Sequence, residues 1–185
     1  MSGYFTSAGS FLLDTLFSLY LYAVLLRFLL QAVRADFYNP ISQFLVALTN
    51  PLLAPLRRVI PGSFGIDIAS LVLLLALKYL ELFILSWLIG RAPDLVPLLL
   101  AAVVSLVRLT IYVYFYAILL RVILSWFMPY GMRQNPAGDL LVSLTEPLMR
   151  PARRLIPSVG GLDLSPIVVL VGLQLLQLAL AHLLR

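Results

Sequence analysis

Asn39-Pro40, then Thr49-Asn50-Pro51-Leu52, then Pro55-Leu56-Arg57-Arg58-Val59-Ile60-Pro61 and Asp67 form a pattern that the chain contains twice. The second copy is Asn135-Pro136, Thr145-Glu146-Pro147-Leu148, Pro151-Ala152-Arg153-Arg154-Leu155-Ile156-Pro157 and Asp163, each position 96 residues after its match. Prolines, a double arginine and an aspartate recurring at fixed spacing mark a tandem duplication. The match continues upstream, where Tyr22, Leu26 and Arg27 recur as Tyr116, Leu120 and Arg121 at an offset of 94. Glu146, standing where the first copy has Asn50, is the one change inside the Thr-x-Pro-Leu segment.

Of the 185 residues, 62% are hydrophobic and 11% charged. Soluble domains carry about 45–50% apolar and about 25% charged residues, so the composition lies on the membrane side. Apolar runs long enough to span occur four times, which predicts an all-α membrane protein. Its four transmembrane helices form two parallel repeats of span, amphipathic loop and span. Residues 1–10 are expected to be an N-terminal tail. The first repeat is 11–89, with spans at about 11–33 and 66–89 and a loop over 37–61. A connector, 90–106, includes Leu95–Leu106, which Pro97 marks as an interfacial or frayed lead-in. The second repeat is 107–185, with spans at about 107–127 and 164–184 and a loop over 133–157. Two spans per repeat insert both copies the same way round, so the pseudo-symmetry axis follows the membrane normal. No basic residue precedes the first apolar run, and residues 11–33 read as a retained span rather than a cleaved signal.

Within each loop, Asn39 and Asn135 are suited to N-cap a helix whose first residue is Pro40 or Pro136. Ile41, Phe44, Leu45 and Leu48 follow at amphipathic spacing, matched by Ala137, Leu140, Leu141 and Leu144. Thr49 and Thr145 are expected to cap a second short helix, with Pro51 or Pro147 and then Pro55 or Pro151 near its start, ended by Pro61 or Pro157. Arg57-Arg58 and Arg153-Arg154 lie opposite its apolar side. Such basic amphipathic helices suit the headgroup zone, with arginines toward lipid phosphates. A re-entrant hairpin lining a cavity is the alternative. The loops hold Arg34, Arg57, Arg58, Arg133, Arg150, Arg153 and Arg154, whereas the turn between spans two and three holds only Arg91. The positive-inside rule then puts both loops in the cytoplasm and both termini outside.

Charges inside spans are costly and need a reason. Arg27 and Arg121 lie near the cytoplasmic ends, where they can snorkel to headgroups. Asp14 and Arg108 occupy matched positions near the outer surface and invite a cross-repeat ion pair. Lys78 and Glu81, one turn apart, match Gln174 and Gln177. These four give either a packing layer or a polar path for an ion or proton.

The chain has no cysteine, which excludes disulfides and cysteine-ligated metals. Its one histidine, His182, is near the C-terminus and reads as a surface residue rather than a metal ligand. Neither a Ser/His/Asp set nor a phosphate-binding glycine loop occurs. No enzymatic activity and no cofactor are expected. The net charge of +5 points to a membrane surface rather than to direct nucleic-acid contact.

The doubled Asn-Pro, Thr-x-Pro-Leu, Pro-x-Arg-Arg-x-Ile-Pro and Asp pattern resembles the YggT family of small integral membrane proteins, over essentially the whole chain. The resemblance implies a bacterial inner-membrane protein. It also implies divergent roles: tolerance of osmotic or ionic stress, cell-division or nucleoid organisation, and, in a chloroplast relative, haem attachment to a cytochrome. It carries over no catalytic residues. Two functions are therefore expected to compete. One is a non-enzymatic scaffold or assembly factor that meets anionic lipid, a protein partner or a second copy through Arg57, Arg58, Arg153 and Arg154. The other is an ion channel or modulator of ion uptake built on Lys78, Glu81, Gln174 and Gln177.

Overall fold

A computed structural model describes residues 2–62, 66–127, 132–155 and 163–183. All regular structure among them is helical. In chain order the helices are α1 (Ser2–Ala32), α2 (Pro40–Val59), α3 (Ile68–Leu88), α4 (Leu95–Phe127), α5 (Pro136–Leu155) and α6 (Ser165–Leu183). A short 3-10 turn, Met132–Gln134, precedes α5. α1, α3, α4 and α6 each contain a stretch long and apolar enough to cross a membrane. Pro157 lies outside the described residues.

The spans run longer than the sequence suggests. α1 begins at Ser2, so the tail continues the first span. α4 is unbroken over 33 residues, about 50 Å at helical rise against a hydrocarbon core of about 30 Å. The Leu95–Leu106 lead-in is therefore helix in line with the third span. Pro97 causes no break because it falls in the first turn, where its missing N–H has no helical acceptor.

The loops differ more from expectation. Each is one continuous 20-residue helix with two prolines inside it, Pro51 and Pro55 in α2 and Pro147 and Pro151 in α5. Asn39 and Asn135 do cap them: each Oδ1 accepts from the backbone N–H two residues on, at 3.0 Å. Thr49 and Thr145 cap nothing. Each hydroxyl instead donates back to a carbonyl within its helix, Leu45 or Leu141, at 2.6 Å. The helix holds through its prolines because one face stays buried across them. Ser42, Leu45, Thr49 and Leu53 are all buried, at a spacing of 3, 4 and 4 that a break would scramble.

The two copies also start differently. Ser42 Oγ donates to the Asp36 carbonyl at 3.0 Å. At the matched Gly138, an added Cβ would run into the Met132 carbonyl oxygen. Where the first copy bridges helix and turn with a hydroxyl, the second brings the turn directly onto the helix backbone, an approach that only glycine permits.

The chain divides into two compact units: Met1–Phe28 with Leu45–Val107, and Leu29–Phe44 with Arg108–Arg185. These are not the two sequence repeats, since the end of α1 and the start of α2 cluster with the second repeat. Within that second unit the Asn39 side-chain amide donates to the Pro136 carbonyl at 2.8 Å, and α5 packs against α6 and the 3-10 turn. The first unit buries Leu21, Val24, Leu25, Leu53 and Ala69; the second buries Leu29, Ile118, Leu140, Leu144 and Met149.

Candidate functional site

Each unit places one arginine of a span against the threonine of a loop helix. In the first unit Arg27 Nη1 donates to Thr49 Oγ1 at 2.6 Å and to the Val46 carbonyl at 3.4 Å. In the second, Arg121 Nη1 donates to Thr145 Oγ1 at 2.7 Å. Neither arginine snorkels as the sequence suggests. Arg27 is only 4% exposed, and both guanidinium groups clamp a span to the middle of a loop helix.

A second contact repeats at the end of each loop helix. Arg57 is ion-paired with Asp67, and Arg153 Nε donates to Asp163 Oδ2 at 3.0 Å. Both aspartates also hold the start of the following span. Asp67 N-caps α3 by accepting from Ser70 N at 3.3 Å, and Asp163 accepts from Ser165 N at 3.0 Å. Burial alone would raise the Asp67 pKa, but hydrogen bonds from Arg57 and Ser70 outweigh it and hold the carboxyl below its usual range. Burial also opposes ionisation of Asp163, and hydrogen bonds from Ser165 and Arg153 again win. With Arg57 and Arg153 engaged in this way, the members of the double arginines that face outward are Arg58 and Arg154, both exposed.

The second unit adds a carboxylate hub. Glu146 accepts from Arg121 at 3.1 Å, Arg153 at 3.3 Å and Arg150 at 3.4 Å. Desolvation would raise its pKa, but Arg121, Arg153 and Arg150 together pull it below the usual glutamate range. Glu146 and Arg153 line a cavity of about 610 Å³ with Arg121, Arg133 and Asp163, over apolar walls that include Ile118 and Val122.

The intramembrane polar residues divide by unit. Lys78 Nζ reaches Glu81 Oε1 at 2.7 Å in the first unit, where Asp14 also neighbours Glu81. In the second unit Gln177 donates to the Arg108 carbonyl at 3.1 Å, whereas Gln174 is exposed. Thus positions 14 and 81 meet in one unit and their matches 108 and 177 in the other. One oxygen at each matched position, Glu81 Oε2 and Gln177 Oε1, is buried without a partner. Among the described residues no group of histidines and carboxylates could hold a metal ion.

The arginine-to-threonine clamp and the arginine-to-aspartate bridge use residues at fixed spacing in both copies, and this doubling is what comparison with known proteins detects. The family model described as CCB3/YggT matches residues 6–88 and again 100–184. The chain belongs to the CCB3/YggT family. Similar YggT-family relatives include protein PA0392 of Pseudomonas aeruginosa, 45% identical over 174 residues that cover 93% of this chain and 87% of that protein. A Vibrio alginolyticus protein encoded in the proC 3' region is 42% identical over 168 residues, 89% of each chain. Escherichia coli K12 YggT is 35% identical over 177 residues, 95% of this chain and 90% of that protein. No solved structure matches.

The Arg27–Thr49, Arg121–Thr145, Arg57–Asp67 and Arg153–Asp163 pairings are absent from the sequence reading. The signal for the last two was present: arginine and aspartate stand ten residues apart in both copies.

Proposed function

We propose that the chain is a non-enzymatic scaffold or assembly factor of the bacterial inner membrane, serving stress tolerance, with α2 and α5 at the cytoplasmic face. The observation that carries this reading is the outer face of α2. Ile41, Phe44, Leu48 and Leu52 are all exposed along one stripe, Phe44 at 64%, and Arg58 is exposed near the end of the same helix. A helix with an open apolar stripe and a terminal cation suits the boundary between acyl chains and anionic headgroups. Arg150 and Arg154 give α5 the same exposed charge. A protein partner or a second copy would dock on this cytoplasmic face. Replacing the outward-facing Arg58 and Arg154 with alanine, which leaves the Arg57–Asp67 and Arg153–Asp163 bridges in place, is expected to reduce co-purified anionic lipid and to weaken any stress phenotype of the gene. An unchanged lipid count and phenotype would contradict the reading.

A second reading, an ion conduit or modulator of ion uptake, is favoured by the matched orphan oxygens of Glu81 and Gln177. Buried oxygens without donors inside spans are sites where a cation or proton would be welcome. Liposomes containing the purified chain would then pass ions under a gradient, and Glu81→Gln would alter that flux. Silent liposomes under every gradient would remove this reading.

A further inference from the structure

The two units solve one electrostatic problem in different ways. In the second, the carboxylate of Glu146 bridges the span arginine Arg121 and the loop arginine Arg153. The first unit keeps both cations, Arg27 and Arg57, but the residue at the position of Glu146 is Asn50. All eight acidic residues of the chain are among those described, and none is ion-paired with Arg27. Its Nη1 is taken by Thr49 and Val46, and its Nε is buried with no partner at all. Asp67 acts on Arg27 only from a distance and is itself held by Arg57. A buried guanidinium without a counter-charge is costly, and an uncompensated charge attracts whatever anion can reach it.

We infer that the first unit binds an external oxyanion of the phosphate class beside Arg27 and Arg57, in the place that Glu146 fills in the second unit. Asn50 is exposed and directly follows Thr49, the buried residue that accepts from Arg27 Nη1. An asparagine amide can donate to an oxyanion, which a glutamate cannot do. A phosphate group satisfies several arginine donors at once. At the end of a membrane span, such a group comes either from an anionic lipid or from free phosphate. The inference stands on the comparison of the repeats and not on the scaffold reading.

The full-length chain, delipidated in detergent, would be titrated with phosphatidylglycerol or phosphatidylcholine and weighed by native mass spectrometry. In parallel, inorganic phosphate would be followed by ³¹P line broadening. The wild type is expected to retain one anion per chain. Selective retention of phosphatidylglycerol identifies a lipid headgroup; broadening of inorganic phosphate without lipid selectivity identifies the free ion. Asn50→Glu supplies the carboxylate internally and is expected to weaken binding about tenfold or more. Glu146→Gln opens the second unit and is expected to raise the count from one to two, a gain that a misfolded protein cannot give. Arg58→Ala with Arg154→Ala leaves the bound anion in place, which separates this site from attraction at the membrane surface. Equal binding by wild type and Asn50→Glu in both arms, no binding by wild type, or an unchanged count in Glu146→Gln would overturn the inference.

Discussion

The first loop helix leaves Phe44 and Leu48 open and its span arginine without a carboxylate; the second buries the matching residues and supplies the carboxylate. Phe44 and Leu48 are exposed at 64% and 42%, whereas their matches Leu140 and Leu144 are buried. Arg27 has only hydroxyl and carbonyl acceptors, whereas Arg121 adds Glu146. The second copy also gains Arg150, one turn beyond Glu146, where the first has Ala54. Duplication kept the clamps that fix each loop helix to its span and let the remaining surface diverge. Identity of motif therefore means identity of anchoring, and the unlike residues around the anchors mark where the copies diverge.

The sharpest way to break this contrast is at the hub. Glu146→Ala leaves three arginines without their shared carboxylate, half-buried against Arg121 and exposed toward Arg150 and Arg153, and is expected to cost about 2.5 kcal/mol, within the range for hydrogen bonds to a charged group. Asn50→Ala at the matched position should stay within about 0.5 kcal/mol. Thermal unfolding in detergent measures both, and equal losses would contradict the asymmetry. A smaller effect is expected where the helices begin. Gly138→Ala forces a methyl group against the Met132 carbonyl and should cost about 2 kcal/mol, against about 1 kcal/mol for the single hydrogen bond lost in Ser42→Ala. Below that comes the pair of caps. Asn39 both caps α2 and reaches Pro136, so Asn39→Ala should cost about 1.5 kcal/mol against about 1 kcal/mol for Asn135→Ala.

Acid provides the mildest test. Asp67, Glu146 and Asp163 all have folded pKa values below their unfolded ones. Their contribution is complete above the unfolded values of about 4 and is lost as pH falls through the lower folded values. Stability should therefore drop below about pH 4. Glu146→Gln should flatten that drop in unfolding curves taken across this range, because one of the three groups no longer titrates.

The spans, the duplication and the asparagine caps were legible because each rests on local pattern: apolar runs, fixed offsets, and a short polar side chain before a proline. The continuity of α2 and α5 was not. Thr49-x-Pro51 has the local appearance of a helix start, and only the buried face running through Ser42, Leu45, Thr49 and Leu53 shows that packing overrides it. Arg27 and Arg121 misled for a related reason. A long cation near a span end has headgroups within reach, and its threonine partner more than twenty residues away leaves no trace in local spacing. The hub at Glu146 could have been suspected, since it is a carboxylate placed one turn before Arg150 and two before Arg153.

The placement of α2 and α5 at the cytoplasmic surface underlies the proposed function, and the absence of native cysteines makes it directly testable. Val59 and Leu155 occupy matched positions and are exposed at 80% and 78%. Val59→Cys and Leu155→Cys would be treated with a membrane-impermeant thiol reagent in intact cells and in inverted vesicles. Both cysteines are expected to label only in inverted vesicles, where the cytoplasmic face is outward. Labelling of either one in intact cells, or protection of both from both sides, would contradict that placement.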